Sequence, residues 1–344
     1  MYSSFNMKYQ SAVIGLGRIG CGFDDILKIK NVQTHVGAHL KTKNTNLLAI
    51  CDKDKSKLKK YGAKYKVKNS YQNYKEMLSK HHFDFISIAT LADTHLEIIE
   101  EISKYKVKGI FLEKPISNSL KNSNRIVEIC KKNNIKLQID HQRRFDSLYM
   151  NLKKIIKKNG EIQRVNIIYG AGISNTGTHV IDLLRFFFGN IIQVEGKFSH
   201  NSSNNSKDPN IDGIILFQKS VIVNLTTLNN NNYGLLEMDI FGKNSRIKID
   251  LAKSTFEYFS ILKDSSIVYR NLKKNNILLT KSKSPITEGL RDLIKARKNN
   301  TIPLCSGIEG YHAIEGVLAL LVSAKNNGKK IKMPLKSNLR VHSK

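Results

Sequence analysis

A glycine-spaced turn that directly follows an apolar segment is the feature that most constrains how this chain can fold. The segment Gly15-Leu16-Gly17-Arg18-Ile19-Gly20 comes after the run Ala12-Val13-Ile14. A strand that turns sharply into a helix needs the first glycine for the turn and the last for close helix packing. The middle glycine leaves backbone N–H groups open to a pyrophosphate, which the helix dipole stabilises. The pattern predicts a dinucleotide-binding turn formed by Gly15, Gly17, Arg18, Ile19 and Gly20.

Apolar segments and amphipathic segments alternate over the first 140 residues. This alternation is typical of βαβ units and predicts a parallel sheet with helices on both faces. The expected strands are Ala12–Leu16, Leu47–Cys51, Phe83–Ala89, Lys108–Leu112 and Ile135–Ile139. We therefore expect residues 1–140 to form a doubly wound Rossmann domain that binds NAD or NADP.

The second part of the chain, residues 141–344, has a different pattern. Short alternating segments separated by turn-rich tracts run from Ile191 to Val268, and they include expected strands over 191–198 and 256–263. This pattern predicts a largely antiparallel open sheet. Helical spacing is found over residues 147–158, 179–188, 285–298 and 308–325. The expected fold class is α/β, in which the Rossmann domain precedes an α+β domain for substrate binding and oligomerisation.

Asp52, directly after the apolar segment Leu47–Cys51, is a candidate ligand of the cofactor ribose. A carboxylate there accepts hydrogen bonds from both ribose hydroxyls of NAD and repels the 2′-phosphate of NADP. The alternative is that Asp52 caps a helix beginning at Lys53. Asp52 lies 32 residues after Gly20, whereas about 20 is usual, so we expect an inserted loop over residues 21–35. The positive charges of the nearby Lys53 and Lys55 reduce the repulsion of the 2′-phosphate, so NADP remains an alternative cofactor.

Two further residues have the chemistry of proton transfer. Lys114 follows the apolar segment Lys108–Leu112 and precedes Pro115, and ligands of open parallel sheets bind at the carboxyl ends of strands. A nicotinamide cation nearby would lower the pKa of the lysine towards neutrality. His179 lies near a predicted helix start, where the dipole favours the neutral imidazole. The alternatives are a surface lysine and a structural histidine.

Composition and charge limit the other classes of function. Lysine and arginine total 57 against 28 acidic residues, a net charge of +29, but the lysines are spread along the chain. No recognised nucleic-acid motif accompanies them, so we expect a solvated surface and no nucleic-acid partner. The four cysteines form no CxxC pair, and no apolar run approaches the length of a membrane span. We expect a reduced, cytoplasmic protein that has no metal site and does not bind membranes.

Taken in order, these segments resemble the Gfo/Idh/MocA family of NAD(P)-dependent oxidoreductases. The resemblance covers nearly the whole chain. It rests on the glycine turn, on Thr90-Leu91-Ala92-Asp93-Thr94-His95, on Glu113-Lys114-Pro115, on His141-Gln142-Arg143-Arg144-Phe145 and on Asn175-Thr176-Gly177-Thr178-His179-Val180-Ile181-Asp182. The chain departs from the family pattern at Leu91, where the family has proline, and at Asn175, where it has an acidic residue.

The resemblance implies a dehydrogenase that transfers a hydride between a nicotinamide and a carbinol carbon of a sugar, cyclitol or nucleotide sugar. It implies that Lys114 and His179 move the hydroxyl proton. Substrate contacts would come from Arg143, Arg144 and Asn175, and cofactor contacts from Thr90, His95 and Glu113. The resemblance also implies a homo-oligomer. Because Asn175 cannot support an imidazolium by charge, a non-catalytic NAD-binding sensor or regulatory subunit is the alternative.

Overall fold

The computed structural model describes residues 8–26, 31–201, 207–262 and 270–341. The chain forms two compact units, and neither is a single continuous stretch of sequence. The first unit contains residues 1–146 and 282–311, and the second contains residues 147–281 and 312–344. Among the described residues, every helix is too short or too polar to cross a membrane.

The first unit is built on a six-stranded parallel sheet. Its strands are β1 (Tyr9–Ile14), β2 (Thr45–Cys51), β3 (Asn69–Tyr71), β4 (Phe85–Ile88), β5 (Gly109–Leu112) and β6 (Lys136–Ile139). They lie in the order β3-β2-β1-β4-β5-β6, and each adjacent pair is parallel. This is the doubly wound order, so the Rossmann fold expected from the sequence is confirmed.

Short helices connect these strands, and polar residues begin most of them. The helices are α1 (Phe23–Ile26), α2 (His35–Lys41), α3 (Lys55–Tyr65), α4 (Tyr74–Lys80), α5 (His95–Ile102) and α6 (Leu120–Lys132). Thr34, Asp54, Asn73 and Ser119 cap α2, α3, α4 and α6, because each side chain accepts a hydrogen bond from a backbone N–H in the first turn.

Helix α9 (Pro285–Lys298) belongs to the first unit, although the sequence analysis grouped it with the second domain. It packs against β5 and β6. A Cβ atom at Gly289 would lie 2.8 Å from ring atoms of both Phe111 and Phe145, so this position brings the helix close to the aromatic core. The amphipathic pattern of α9 predicted the helix but could not indicate which sheet its apolar face would cover.

The second unit contains a nine-stranded sheet. Its strands are β7 (Ile162–Tyr169), β8 (Ile191–Phe198), β9 (Ile211–Phe217), β10 (Ile222–Thr227), β11 (Glu237–Gly242), β12 (Ser245–Asp250), β13 (Thr255–Ile261), β14 (Leu272–Asn275) and β15 (Ile331–Lys332). The order is β14-β13-β12-β11-β7-β10-β9-β8-β15. All pairs are antiparallel except β7 with β10, which confirms the expected, largely antiparallel sheet. Helices α7 (Ser147–Lys158) and α8 (Thr178–Phe188) belong to this unit, and α10 (Gly307–Lys325) begins in the first unit and continues into it.

Several local expectations need correction. Strands β3, β14 and β15 were not expected, because they are short and mostly polar. The loop expected over residues 21–35 contains the helical turn α1, which includes Asp24 and Asp25, and its last residue begins α2. Residues 27–30 of that loop, 202–206 of a turn-rich tract and residue 263 of an expected strand lie outside the described residues.

Candidate active site

The parallel strands of the first unit end in a single row across the sheet. Ile14 is in register with Cys51 and Ile88, Ile88 with Leu112, and Leu112 with Ile139. The residues that follow this row are Asp52, Gly15, Ala89, Glu113 and Asp140. Open α/β sheets bind their ligands outside the carboxyl ends of the strands, so this row defines the candidate cofactor edge.

The glycine turn has the geometry that a dinucleotide requires. Gly15 has a φ of +97°, and a Cβ atom there would lie 2.6 Å from the carbonyl oxygen of Ala89. At Gly20 an added Cβ would lie 2.1 Å from the carbonyl oxygen of Gly15. At Gly17, by contrast, nothing lies within 4 Å. Two glycines are needed for packing, and the third borders open space where a pyrophosphate can approach the backbone.

A short helical segment of unusual type follows the turn. Residues Arg18–Gly22 form a π-helical turn, in which the N–H of Gly22 donates to the carbonyl oxygen of Gly17 at 3.0 Å. Ile19 is half-buried, and the exposed Arg18 has its guanidinium 5.9 Å from the ring centroid of Phe23. The exposed cation lies beside the open turn, where a phosphate would be favoured.

Asp24 accepts hydrogen bonds that connect the inserted segment to the start of α2. One carboxylate oxygen of Asp24 accepts from the N–H of Gln33 at 2.6 Å and the other from the hydroxyl of Thr34 at 2.5 Å. The neighbouring Asp25 accepts from Lys60 and Lys64 of α3. These contacts hold the insertion against the helices that flank the glycine turn.

The carboxylate of Asp52 is bound to the glycine turn. Its Oδ2 accepts from the N–H of Leu16 at 2.6 Å, and its Oδ1 accepts from the N–H of Asp54 at 2.9 Å. Asp52 does not cap α3, since Asp54 does so through Ser56 and Lys57. The helix-cap alternative for Asp52 is therefore wrong, and its carboxylate lies at the cofactor edge.

Thr90 and His95 form a rigid connection after β4. The hydroxyl of Thr94 donates to that of Thr90 at 2.8 Å. His95 is fully buried, and its Nδ1 and Nε2 lie 3.1 Å and 3.2 Å from the carbonyl oxygens of Ile116 and Thr90. Burial lowers the pKa of His95. The imidazole therefore connects the loop after β4 to the loop after β5. Thr90, unlike His95, is partly exposed.

Lys114 and Glu113 follow β5, but they have different environments. Lys114 is partly exposed, whereas Glu113 is buried and extends into the unit. Glu113 Oε1 lies 3.0 Å from His35 Nε2, and its Oε2 accepts from the N–H of Lys114 at 3.2 Å. His35 Nε2 is also 3.6 Å from Oδ2 of Asp140. We refer to His35, Glu113 and Asp140 as the His35 cluster.

The sequence analysis did not identify His35 or Asp140. Their signals were weak: a histidine at a helix start and an acidic residue at the end of an apolar segment. Burial lowers the pKa of His35 and raises that of Glu113, while burial and the adjacent Glu113 raise the pKa of Asp140. Each member of the His35 cluster has one side-chain nitrogen or oxygen atom within 4.8 Å of the corresponding atoms of the other two.

The two neighbouring arginines differ in exposure. Arg144 is buried and donates to Glu309 Oε2 at 2.9 Å and to the carbonyl oxygen of Leu304 at 3.5 Å. Its guanidinium thus connects the segment after β6 to the first turn of α10 and to the residues just before it, and we do not assign it to a substrate site. Arg143 is partly exposed.

In the second unit, Asn175 lies in a π-helical segment, Gly172–Gly177, that precedes α8, and His179 lies in the first turn of α8. Both are partly exposed, whereas most of α8 is buried, including Asp182. The carboxylate of Asp208 accepts from the N–H groups of Ser174 and Asn175 at 2.7 Å and 3.0 Å. Asp208 therefore supplies a negative charge at the beginning of this helical segment, where Asn175 has none.

The fold and the cofactor edge define a nicotinamide-dinucleotide-binding oxidoreductase. The model described as "Oxidoreductase family, NAD-binding Rossmann fold" matches residues 9–141, and "Oxidoreductase family, C-terminal alpha/beta domain" matches residues 169–333. The chain belongs to the Gfo/Idh/MocA family of NAD(P)-dependent oxidoreductases.

Known proteins with similar sequences or structures support this assignment. Myo-inositol 2-dehydrogenase of Thermotoga maritima is 24% identical over 327 residues, which is 88% of this chain and 92% of that protein. A putative NADPH-dependent oxidoreductase of Desulfitobacterium hafniense superposes with a TM-score of 0.80 at 17% identity, covering 94% and 98% of the two chains. The WlbA dehydrogenase of Bordetella pertussis, solved with NADH and UDP-GlcNAcA, gives 0.76 at 16% identity, covering 96% and 100%. The two structures show a shared fold.

Proposed function

We propose that this enzyme transfers a hydride between NAD and a secondary carbinol carbon of a sugar or cyclitol, with a nucleotide sugar as the other candidate class. The observation that carries the proposal is the row of strand ends that brings the open glycine turn, Asp52 and Lys114 to one edge of the first unit's sheet. Gly17, Arg18 and Ile19 would hold the pyrophosphate, and Asp52 the ribose. The nicotinamide, when bound, supplies the hydride acceptor or donor.

Lys114 is the residue to which we assign the hydroxyl proton. Its ammonium group is on a partly exposed side chain directly after β5, and its backbone N–H is fixed by Glu113. In the oxidation direction, Lys114 Nζ as the neutral amine accepts the proton that leaves the substrate hydroxyl and becomes an ammonium group. In the reduction direction, it returns that proton to the new alkoxide oxygen.

In the second unit, we assign substrate contacts to Asn175 and an assisting proton role to His179. An amide at position 175 can hold a substrate hydroxyl, but it cannot stabilise an imidazolium by charge. We therefore propose that Lys114 is the principal proton acceptor and that His179 assists it. Arg143, which is partly exposed, is the candidate for binding a hydroxyl or an anionic group of the substrate.

The names of the relatives support the substrate class. The full-length relative from Thermotoga is a myo-inositol 2-dehydrogenase, and shorter matches include a D-apiose dehydrogenase and a scyllo-inositol 2-dehydrogenase (NAD(+)). Inositols and apiose share uncharged, hydroxyl-rich carbon skeletons. Because Arg144 is engaged with Glu309, fewer cations remain for a phosphorylated substrate, so we place polyols ahead of nucleotide sugars.

The test is turnover of a substrate panel with NAD. Myo-inositol, scyllo-inositol, apiose and UDP-N-acetylglucosamine are incubated with purified enzyme, and NADH formation is followed by absorbance. Turnover of a polyol is expected, and the Lys114→Met variant should lose it by several orders of magnitude while its dissociation constant for NADH stays within about threefold of the wild type.

The Lys106→Met variant is the matched control, because Lys106 is an exposed lysine eight positions earlier and the same charge is removed. It should keep wild-type turnover. NADH binding without turnover of any carbinol by the wild type would contradict the proposed reaction and favour the sensor alternative.

We also propose a homo-oligomer in the reducing cytoplasm. The side chain of Ile214 is 47% exposed, although β9 is paired with a strand on each side, so this face of the sheet offers an apolar contact point. The four cysteines are all buried, and none of these described residues forms a disulfide, which suits a reducing compartment. Light scattering is expected to give a dimer or tetramer, and the Ile214→Glu variant should shift it towards monomer.

A further inference from the structure

The His35 cluster has a feature that the proposed reaction does not use. Two carboxyl groups and one imidazole meet in a space where His35 is 0% exposed, Asp140 1% and Glu113 7%. One carboxylate oxygen of Glu113, one of Asp140 and a ring nitrogen of His35 all lie within 4.8 Å of one another. Two carboxylates this close repel each other away from water, which favours a state in which the pair holds one proton.

The cluster is made by three separate elements of the first unit. His35 begins α2, Glu113 follows β5 and Asp140 follows β6. The ring of His35 also meets that of Phe111 edge-on, at 5.0 Å between centroids and 70° between planes. The imidazole is therefore fixed by packing as well as by its carboxyl partners.

The cluster is connected to Lys114 through the backbone. Glu113 Oε2 accepts from the N–H of Lys114, while Oε1 faces His35 Nε2. Because Glu113 uses one carboxylate oxygen for His35 and the other for Lys114, the position of α2 affects the position of the Lys114 backbone. Loss of the contact to His35 would release Glu113 to rotate, and the Lys114 turn would lose its acceptor.

We propose that His35 and Asp140 are positioning residues, which share one proton with Glu113 and through it hold Lys114 in place for transfer of the hydroxyl proton. This inference rests on the proposed function of Lys114. In this arrangement the neutral imidazole donates Nε2–H to the carboxylate, and the pair has a single negative charge beside the ammonium group of Lys114. A second negative charge would hold that ammonium more strongly and weaken Lys114 as a proton acceptor.

Other groups also act on the cluster. From α2, the buried His39 lies near enough to influence His35, and its Nε2 is 2.8 Å from the hydroxyl of Ser87. From the segment after β6, the amide of Gln142 donates to Asp140 Oδ2 at 3.3 Å, and the next residue, His141, is also buried. Lys114 is the cation that lowers the pKa of Glu113 against the effect of burial.

The shared proton is tested by infrared spectroscopy of the full-length protein at neutral pH, which needs no substrate. The wild type should show the carbonyl band of a buried protonated carboxyl group, shifted in D2O. The Asp140→Asn variant should lose this band, because Glu113 alone then ionises. A wild-type spectrum without the band would overturn the proposal, as would a stoichiometric divalent metal found by elemental analysis.

The positioning role is tested by kinetics of two substitutions at one site. His35→Phe keeps the ring against Phe111 but removes the donor, whereas His35→Gln keeps an N–H donor. We expect His35→Phe to lower kcat roughly 10- to 100-fold with little change in KM for NAD, as for a misplaced catalytic group. The acidic limb of its pH profile for oxidation, which reports protonation of Lys114, should move to lower pH, because a carboxyl pair without this N–H donor takes up a second proton more readily and then holds the ammonium less strongly. His35→Gln should restore both values to within about threefold.

His39→Phe is the matched control, since it removes another buried imidazole from the same helix without touching a carboxyl group. It should leave kcat and the pH profile near wild type. An equal fall in kcat in His39→Phe and His35→Phe would show a general packing effect and overturn the positioning role. If the wild type turns over no carbinol, the proposed reaction fails, and the infrared experiment still decides the state of the cluster.

Discussion

The backbone N–H of Leu16 donates a 2.6 Å hydrogen bond to Oδ2 of Asp52. The residue proposed to bind the ribose is thus fixed by the turn proposed to bind the pyrophosphate. The contact joins positions 36 residues apart in sequence, one shortly after β1 and the other directly after β2. In the proposed site, specificity for the cofactor would therefore be coupled to the shape of the phosphate-binding turn.

Replacement of Asp52 by Asn should weaken the preference for NAD. The amide oxygen can still accept from Leu16, but the charge-assisted contact to the ribose is lost, at a cost of about 1.5 kcal/mol. KM for NAD should then rise roughly tenfold, while KM for NADP stays equal or falls because the 2′-phosphate no longer meets a carboxylate. Initial rates with both cofactors measure this change. Asp54→Asn, which retains a helix cap, should leave both constants unaltered, and an unchanged NAD/NADP ratio in Asp52→Asn would refute the ribose assignment.

Alanine at Gly17 and at Gly20 should give opposite results. At Gly20 the new Cβ would lie 2.1 Å from the carbonyl oxygen of Gly15, so the free energy of unfolding should fall by about 1–3 kcal/mol or more. At Gly17 the backbone φ is −70° and nothing lies within 4 Å of the new Cβ, so stability should change by less than about 0.5 kcal/mol. NADH binding should nevertheless weaken in Gly17→Ala, because the methyl group fills the pyrophosphate approach. Denaturant titration and NADH fluorescence separate the two effects, and equal losses of stability would contradict this account of the turn.

Arg143 and Arg144 should have separable roles. The side chain of Arg144 is 5% exposed and that of its partner Glu309 is 32% exposed. Arg144→Ala leaves Glu309 without this partner and should lower the free energy of unfolding by about 2–4 kcal/mol, near the lower range for broken buried pairs. Arg143→Ala should leave thermal stability within a degree or two of the wild type and raise KM for the carbinol substrate. If Arg144→Ala raised KM for the carbinol substrate without lowering stability, Arg144 would be assigned to the substrate site.

Protonation of His39 should contribute to unfolding in acid. Burial, followed by the electrostatic influence of the neighbouring His35, lowers the pKa of His39 from 6.5 to about 3. Between these pH values the unfolded chain binds a proton that the folded protein does not, so the stability from this group is complete above pH 6.5 and declines as pH falls towards 3. The slope should be about 1.4 kcal/mol per pH unit.

His39→Gln removes this contribution without leaving Ser87 unpaired. Urea titrations at a series of pH values between 7 and 4 are expected to show a shallower pH dependence in the variant than in the wild type. Identical slopes in the two proteins would mean that His39 is protonated in the folded state.

Much of the fold could be predicted from periodicity, because burial on one face leaves a repeating pattern. The helices expected over residues 147–158 and 285–298 and the strand over 191–198 are confirmed at their bounds. Strand β3, by contrast, is the polar triplet Asn69-Ser70-Tyr71 at the edge of the sheet, and β14 is Leu272-Lys273-Lys274-Asn275. Neither has an apolar face to detect, since backbone pairing with a neighbouring strand stabilises it.

The candidate site was only partly predictable. Gly15, Gly17, Gly20 and Asp52 have local signals, because a turn and a strand end are features of a few consecutive residues. His35 and Asp140 are 105 positions apart, and their contact depends on where α2 crosses the sheet. Arg144 had the same local signal as Arg143, and only its buried partner Glu309, 165 positions away, distinguishes the two arginines.

Helix α9 closes the aromatic core of the first unit, although it comes from residues 285–298. During translation, residues 285–298 must therefore emerge before α9 can cover Phe111 and Phe145. A fragment that ends at residue 146 would expose these rings to water and to chaperones. A version of the nucleotide-binding unit that keeps α9 would therefore need residue 146 joined to residue 282.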